Sequence, residues 1–295
     1  MEHFDPRNAN HITRKYFDTL MLEMRHIDAV IPNTQLDLFG HQFDTPVMMA
    51  ALSHLNKCHP DGLIEMARGA AKANAVMWAG MGEDAEIAGI TATGAKTIKI
   101  VKPSFDNNEV IRELKHAEAV GCIAVGMDID HQFNRRGVYD NVLGFPMRAK
   151  SLDDIKSFVA STRLPFILKG VLSVTDAHKC IDAGVSSIVV SHHHGIMDYA
   201  VPPLMVLPEI ANAVGGKMKI FIDCGFESGM DVFKALALGA DAVSVGRAMM
   251  APLTENGAEG VYQAIIKTTE ALAGAMAMTA SKNIKSIDPS IIRTF

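Results

Sequence analysis

Along this chain, short runs of apolar residues alternate with Ala-rich segments whose apolar positions recur every three or four residues. The apolar runs are TPVMMAA (45–51), AVMWAG (75–80), TIKIVK (97–102), CIAVGMDI (122–129), PFILKG (165–170), SSIVVSH (186–192), KIFIDC (219–224) and AVSVGR (242–247). Each is too short for a helix and is apolar on both faces, the pattern of a buried strand. The intervening segments, such as GLIEMARGAAKAN, NEVIRELKHAEAVG, VTDAHKCIDAG and GMDVFKALALGA, have helical spacing. The last three run into the Gly that a helix C-terminus favours. Fully apolar strands joined by helices predict a parallel sheet covered on both sides.

Eight such units in about 200 residues match a (β/α)8 TIM barrel in number and size. A doubly wound sheet usually has fewer strands and a Gly fingerprint after the first one. Here the first strand runs into AALSHLNK, which has no G-x-G-x-x-G. We therefore expect one barrel domain, with an extension over residues 1–44 and the barrel and a C-terminal helix over 45–295. Chemistry in such a barrel sits at the C-terminal ends of the strands. The polar residues there are Ser53, His54, Lys99, Lys102, Asp128, Asp130, His131, Lys169, Ser191, the triplet His192–His194, Asp223 and Arg247.

Composition narrows the function by exclusion. Net charge is −5, with no long Lys/Arg run, which argues against nucleic-acid binding. The longest apolar runs are short and broken by Gly or Asp, so no membrane span is expected. The N-terminus MEHFDPRNANH has no basic and apolar leader pattern. Cys58, Cys122, Cys180 and Cys224 form no C-x-x-C pair and read as reduced thiols of a cytoplasmic protein.

Two features carry candidate chemistry. Lys169 closes the apolar strand FILK, and an ammonium there is costly unless an anion or electron-rich ligand faces it. The triplet His192–His194 follows a β-branched strand. Successive residues leaving a strand point to alternating sides, so at most two of the three can face one ion, whereas a metal needs three or four converging ligands. A metal site, a structural turn and one catalytic histidine with two neighbours all remain open on the residues alone; of these we expect the catalytic histidine and no metal.

Three blocks then show a resemblance. LPFILKGVLSVTDAHKCIDAGVSSIVVSHHHG, the pair VLPEIANAV and KIFIDCGFESGMDVFKALALGADAVSVGRAMM, and AMAMTASKNIKSID resemble the FMN-dependent 2-hydroxy-acid oxidases and dehydrogenases, the glycolate oxidase and lactate oxidase family. The match covers most of residues 40–290. It implies an FMN-dependent oxidoreductase that oxidises a hydroxy acid or secondary alcohol, or runs the reverse. A histidine takes a substrate proton as hydride equivalents pass to flavin N5. By this resemblance His193 is the base, Asp128 its carboxylate partner, and Lys169 the charge beside the flavin N1–C2 carbonyl. Ala51, Thr97, Asp128, Lys169, Ser191, Asp223, Gly225, Gly246 and Arg247 would contact FMN. Lys99, Arg135, His193 and Ile196 would line the substrate site. The family also implies a small-molecule substrate and a homo-oligomer, a tetramer.

The departures bear on the substrate. The family grips a carboxylate with an arginine three residues after its histidine; here that residue is Ile196, and no arginine lies between Arg163 and Arg247. The phosphate-loop arginine is replaced by Glu227, the strand-3 tyrosine by Lys99, and the aromatic wall by the region of Gly82. The lid after strand 4 is shorter. These changes predict a substrate other than a small, simple 2-hydroxy acid. Two rival readings are a flavin-dependent isomerase or lyase without net redox, and a catalytically silent barrel.

Overall fold

The computed structural model describes residues 5–294. Eight parallel strands form its centre: β1 (Val47–Met49), β2 (Met77–Ala79), β3 (Thr97–Val101), β4 (Ala124–Asp128), β5 (Phe166–Val171), β6 (Ser187–Val190), β7 (Lys219–Ile222) and β8 (Ala242–Val245). They pair in chain order from β2 round to β8, and β8 pairs with β1. Hydrogen bonds from Met49 N–H to the Val76 carbonyl (2.9 Å) and from Gly80 N–H to the Leu52 carbonyl (3.0 Å) join β1 to β2 and close the barrel. All but β5 and β7 consist wholly of buried residues. That is why they read as uninterrupted apolar runs. The observed strands fall almost entirely within the expected runs and are shorter, because the chain turns into loops at the rim.

The outer layer comprises α2 (Gly62–Lys72), α3 (Asp84–Ala92), α4 (Asn107–Ala119), α5 (Leu152–Ala160), α6 (Val174–Asp182), α7 (Pro203–Val214), α8 (Gly229–Ala237) and α9 (Met250–Met278), preceded in the chain by α1 (Ala9–Thr19). Capping side chains set the starts of α5, α6 and α8: Ser173 accepts from Asp176 N–H, and Ser151 and Ser228 form reciprocal capping boxes with Asp154 and Asp231. α9 breaks at Asn256 and Gly257, whose backbones are non-helical.

The N-terminal extension is not a loose lead-in. Phe17 of α1 is fully buried and meets Phe226 edge-on, 5.0 Å between ring centres. Arg14 bonds both carboxylate oxygens of Asp231 at 3.0 Å. Leu20–Leu22 then pairs antiparallel with Ile292–Thr294, tying the two ends of the chain together. A second small hairpin, Leu36–Leu38 with His41–Phe43, turns at Phe39–Gly40. Among the described residues no helix is long and apolar enough to cross a membrane.

Candidate active site

β5 carries Lys169 to the rim, and the residue after it is what allows the approach. Gly170 has φ +101°, and the register with β6 slips there, a bulge of the sort that re-aims a side chain beside a site. A Cβ on Gly170 would lie 2.1 Å from Asp130 Oδ1, so only glycine lets that carboxylate come so close.

Lys169, with 8% of its side chain exposed, lies within 3.2 Å of Asp130 Oδ2 and Ser191 Oγ and 3.6 Å of Asp223 Oδ2. On the other side of Asp130 is Asp128, the last residue of β4, which accepts from Lys102 Nζ at 2.8 Å and from the Asp130 N–H at 3.0 Å. Burial alone would favour neutral forms of this lysine and aspartate. The facing charges prevail: Asp223, Asp128 and Asp130 hold Lys169 well above the usual lysine range. Lys169, Lys102 and His193 in turn hold Asp128 well below the usual carboxylate range. Asp128, Asp130 and His193 offer atoms within 4.8 Å of one another, but the two ammoniums already balance those carboxylates.

The three histidines after β6 each face a different partner. His192 is buried. Its Nδ1 accepts the Gly195 N–H (3.0 Å), so Nε2 carries the proton and donates to Thr13 Oγ1 (2.7 Å). Burial pushes its pKa down, keeping it neutral. His194 points outward, and its Nδ1 lies 2.7 Å from Asn10 Oδ1. Two of the three histidines therefore dock α1 against the rim. His193, between them, turns into the cleft with Nδ1 3.0 Å from Asp128 Oδ2, 3.1 Å from Asp130 Oδ2 and 3.1 Å from Lys169 Nζ. Burial and the Lys169 charge work against an imidazolium, but the two carboxylates outweigh them and its pKa is raised. His193, His194 and Gly195 all have positive φ (46°, 57° and 75°). Strained turns of this kind persist only where the surroundings over-determine them, and here partners on three sides do so.

These groups open into a cleft of about 640 Å³. Ala50, Ala51 and Leu52 form one wall, Lys169, His193 and Asp223 the floor, and Gly225, Glu227, Gly246 and Arg247 the outer end. A smaller cavity of about 250 Å³ adjoins it at Ala51, Leu52 and His193, and is lined further by His54, Met81, Ile100, Lys102, Asp128 and Leu143.

Four expected contacts lie elsewhere. Thr97 is the first residue of β3, at the far end of the barrel, and its hydroxyl bonds the Ala95 carbonyl. Lys99 has the same parity as Thr97, opposite to Ile100 and Lys102, which line the cavity. Its ammonium bonds the Gly80 carbonyl, and burial pushes its pKa down. The lysine that reaches the cluster is Lys102, three residues on, because side chains alternate along a strand. Arg135 is exposed, pairs with Asp198 at 3.4 Å and bonds the Gly195 and Ile196 carbonyls, so it braces the triplet turn from outside. Ile196 lines neither cavity. Lys102, Asp130 and His131 were visible among the rim residues of the sequence, but nothing in the pattern distinguished them from their neighbours.

A flat, anionic cofactor fits this cleft. It offers small alanines along one wall, a buried ammonium on the floor, and glycine turns with an exposed guanidinium at the outer end. The barrel and site define an FMN-type oxidoreductase, and comparison with known proteins agrees. The FMN-dependent dehydrogenase family model matches residues 5–152 and 147–294. The chain is 30% identical to 4-hydroxymandelate oxidase of Amycolatopsis orientalis over 87% of this chain and 82% of that protein. It is 31% identical to L-lactate oxidase of Alicycliphilus denitrificans over 88% and 81%. A crystal structure of mandelate oxidase superposes with a TM-score of 0.89 at 26% identity, covering 99% of this chain and 91% of that one. The chain belongs to the FMN-dependent dehydrogenase family, and its cofactor is FMN.

The docking of α1 can be measured. Thr13→Val removes the partner of a buried imidazole N–H and should lower unfolding free energy by about 1–3 kcal/mol. Thr13→Ser, which keeps the hydroxyl, should lose much less. Equal denaturant midpoints for the two variants would contradict this account of His192.

Proposed function

We propose that this enzyme oxidises a hydroxy acid with a bulky, largely apolar side chain, His193 acting as the base. The observation that carries this reading is the placing of His193 where the two cavities meet, with Asp128 on its Nδ1 and Lys169 beside it. FMN bound in the larger cleft would supply the two-electron acceptor, receiving both electrons as one hydride equivalent from the substrate carbon. Lys169 would hold the pyrimidine end of the ring, where negative charge grows on reduction. Ala51 and Asp223 line the cleft along the way, and Gly225, Gly246 and Arg247 would receive the phosphate. Ser191, expected to touch the cofactor, is buried beneath the cleft and holds Lys169 and the His193 N–H instead. Glu227 shares that outer end, so Arg247 and loop amides have to offset its charge.

The substrate would occupy the smaller cavity. Its carboxylate has one ammonium in reach there, Lys102, in place of an arginine fork; a point charge orients it less tightly. Leu52, Met81, Ile100, Val142 and Leu143 leave its side chain an apolar seat. Beyond Met81, Lys102 and Leu143 a further space of about 970 Å³ opens, so a long side chain is accommodated. The 4-hydroxymandelate and L-lactate oxidases differ in substrate bulk by their names; the apolar seat favours the bulkier end. His193 takes the hydroxyl proton at Nε2, and Asp128 stabilises the imidazolium that results.

No membrane-crossing helix and four unpaired thiols suit an enzyme of a reducing cytoplasm. Met24, Ile27, Val30 and Ile31, all more than half exposed in one stretch of the extension, suit burial against a second copy of the chain. A homo-oligomer should appear in sedimentation, and Ile27→Lys with Ile31→Lys should dissociate it; a monomeric wild type would refute this.

The function is tested by mixing the anaerobic, yellow holoenzyme with hydroxy acids of increasing side-chain size. Bleaching should be fast with aromatic or long aliphatic acids and slow with glycolate and lactate. The reverse order would overturn the substrate assignment, and a yellow enzyme that converts substrate without bleaching would favour an isomerase.

The base must be neutral to act, and its folded pKa is raised. Accordingly kcat/KM should climb with pH through a limb lying above the ordinary histidine value of about 6.5. His193→Gln should keep the flavin spectrum and lose about 10²–10⁴ in kcat. A pH-independent rate between 6 and 8 would contradict the assignment.

A further inference from the structure

The proton accepted by His193 needs a way out, and the nitrogen that receives it already has a partner. His131, on the loop after β4, places Nε2 2.9 Å from His193 Nε2, the two rings nearly perpendicular at 85°. On its other side, His131 Nδ1 lies 3.0 Å from Asp140 Oδ2. The four groups form one line: Asp128, His193, His131, Asp140.

The hydrogen bonds fix where the protons sit. Asp140 accepts only, so His131 Nδ1 carries a proton and its Nε2 is a bare acceptor. Two carboxylates at His193 Nδ1, against the one ammonium of Lys169, likewise place a proton there. The bond between the rings therefore belongs to the state in which His193 has taken a proton at Nε2, and that Nε2–H donates to His131 Nε2. The charged groups facing the pair are Lys102 just after β3, Asp128 at the end of β4 and Asp130 just beyond it, Lys169 on β5, and Asp140 on the loop itself. Their balance agrees. Burial, Lys102 and His193 push the His131 pKa down, whereas that of His193 is raised. Asp140, despite some burial, is held low by His131 and the Asn141 N–H. His193 is therefore the donor and His131 the waiting acceptor. The side chain of Asp128 is only 4% exposed, whereas those of His193, His131 and Asp140 are 27%, 22% and 21% exposed. With cofactor and substrate filling the two cavities that His193 lines, His131 and Asp140 on the loop are the groups left to meet water.

We infer that His131, steadied by Asp140, is the exit through which His193 discards the substrate proton between turnovers. The step balances as a proton transfer alone. The N–H bond at His193 Nε2 breaks and one forms at His131 Nε2. The His131 imidazolium keeps its Nδ1–H on Asp140 and gives the Nε2 proton to water when the next substrate takes its place against His193. His193 is then neutral and ready. A histidine–carboxylate pair serves twice in series, once at the substrate and once at the loop.

This rests on His193 being the base, and the experiment separates the two. In His131→Gln holoenzyme, the first anaerobic turnover should bleach the flavin at close to the wild-type rate. Steady-state turnover should fall on the order of 10- to 100-fold. Added imidazole should restore it in a concentration-dependent way, and Asp140→Asn should fall less. Selective 15N-histidine NMR of the wild type should show His131 and His193 titrating as a coupled pair, and His131→Gln should leave His193 with a single, simple titration. Unchanged steady-state turnover in His131→Gln would overturn the inference, as would equal losses in the first and later turnovers without imidazole rescue. Should His193→Gln itself bleach at full speed on the first turnover, the base assignment fails, which the His131 result does not decide.

Discussion

The buried ammonium of Lys169 among three carboxylates is the constraint on which the rest of the site depends. Taking one such charge out of water is costly, and a lone lysine or a lone carboxylate at this depth would neutralise instead. Held together, they keep their charges and fix one another's positions. The bulge at Gly170 exists so that Asp130 can approach, and Lys102 meets Asp128 from the neighbouring strand. Because the cluster keeps an excess of negative charge beside His193, that imidazole is basic enough to accept a proton. The same cluster supplies a fixed positive charge on the cleft floor. Electrostatics that would be a liability in a plain core have become the means of holding a cofactor's charge and a base's basicity within a few ångströms of each other.

The family resemblance points to one histidine at this position, and the two flanking it have no counterpart there. The geometry gives them work that is not chemical: they fasten α1 across the ends of β6 and β7. The left-handed backbone at His193 and His194 would suit glycine better, and the strain is met by bonds to Asn10, Thr13, Asp128 and Lys169. Rigidity of the turn thus comes from both sides, from the barrel strands through Asp128 and Lys169 and from a helix that precedes the barrel in the chain.

Much of this was legible in the sequence. The eight apolar runs gave the barrel, the rule that chemistry sits at the strand ends gave a list of rim residues, and the family resemblance chose Asp128, Lys169, Ser191, His193, Asp223 and Arg247 from it. What failed was register within a strand. Thr97 and Lys99 were expected in the site, yet β3 is buried on both faces and its polar parity, Thr97 and Lys99, is the one turned away from the cavity; Lys102 carries the charge instead. The role of α1 was hidden for another reason. Its contacts to His192 and His194 span 179 and 184 residues, and nothing local in NANHITRKYF announces a partner so distant. The pairing of His131 with His193 is equally non-local, 62 residues apart.

The antiparallel pairing of Leu20–Leu22 with Ile292–Thr294 has a meaning for how the molecule is made. The bonds from α1 to the rim close loops of 179 and 184 residues, and the strand pairing at its far end closes a longer one still. Contacts so distant in sequence are costly to close, whereas neighbouring barrel strands meet over much shorter loops. The helix that braces the histidine turn is therefore locked late in folding, after the strands it braces have paired.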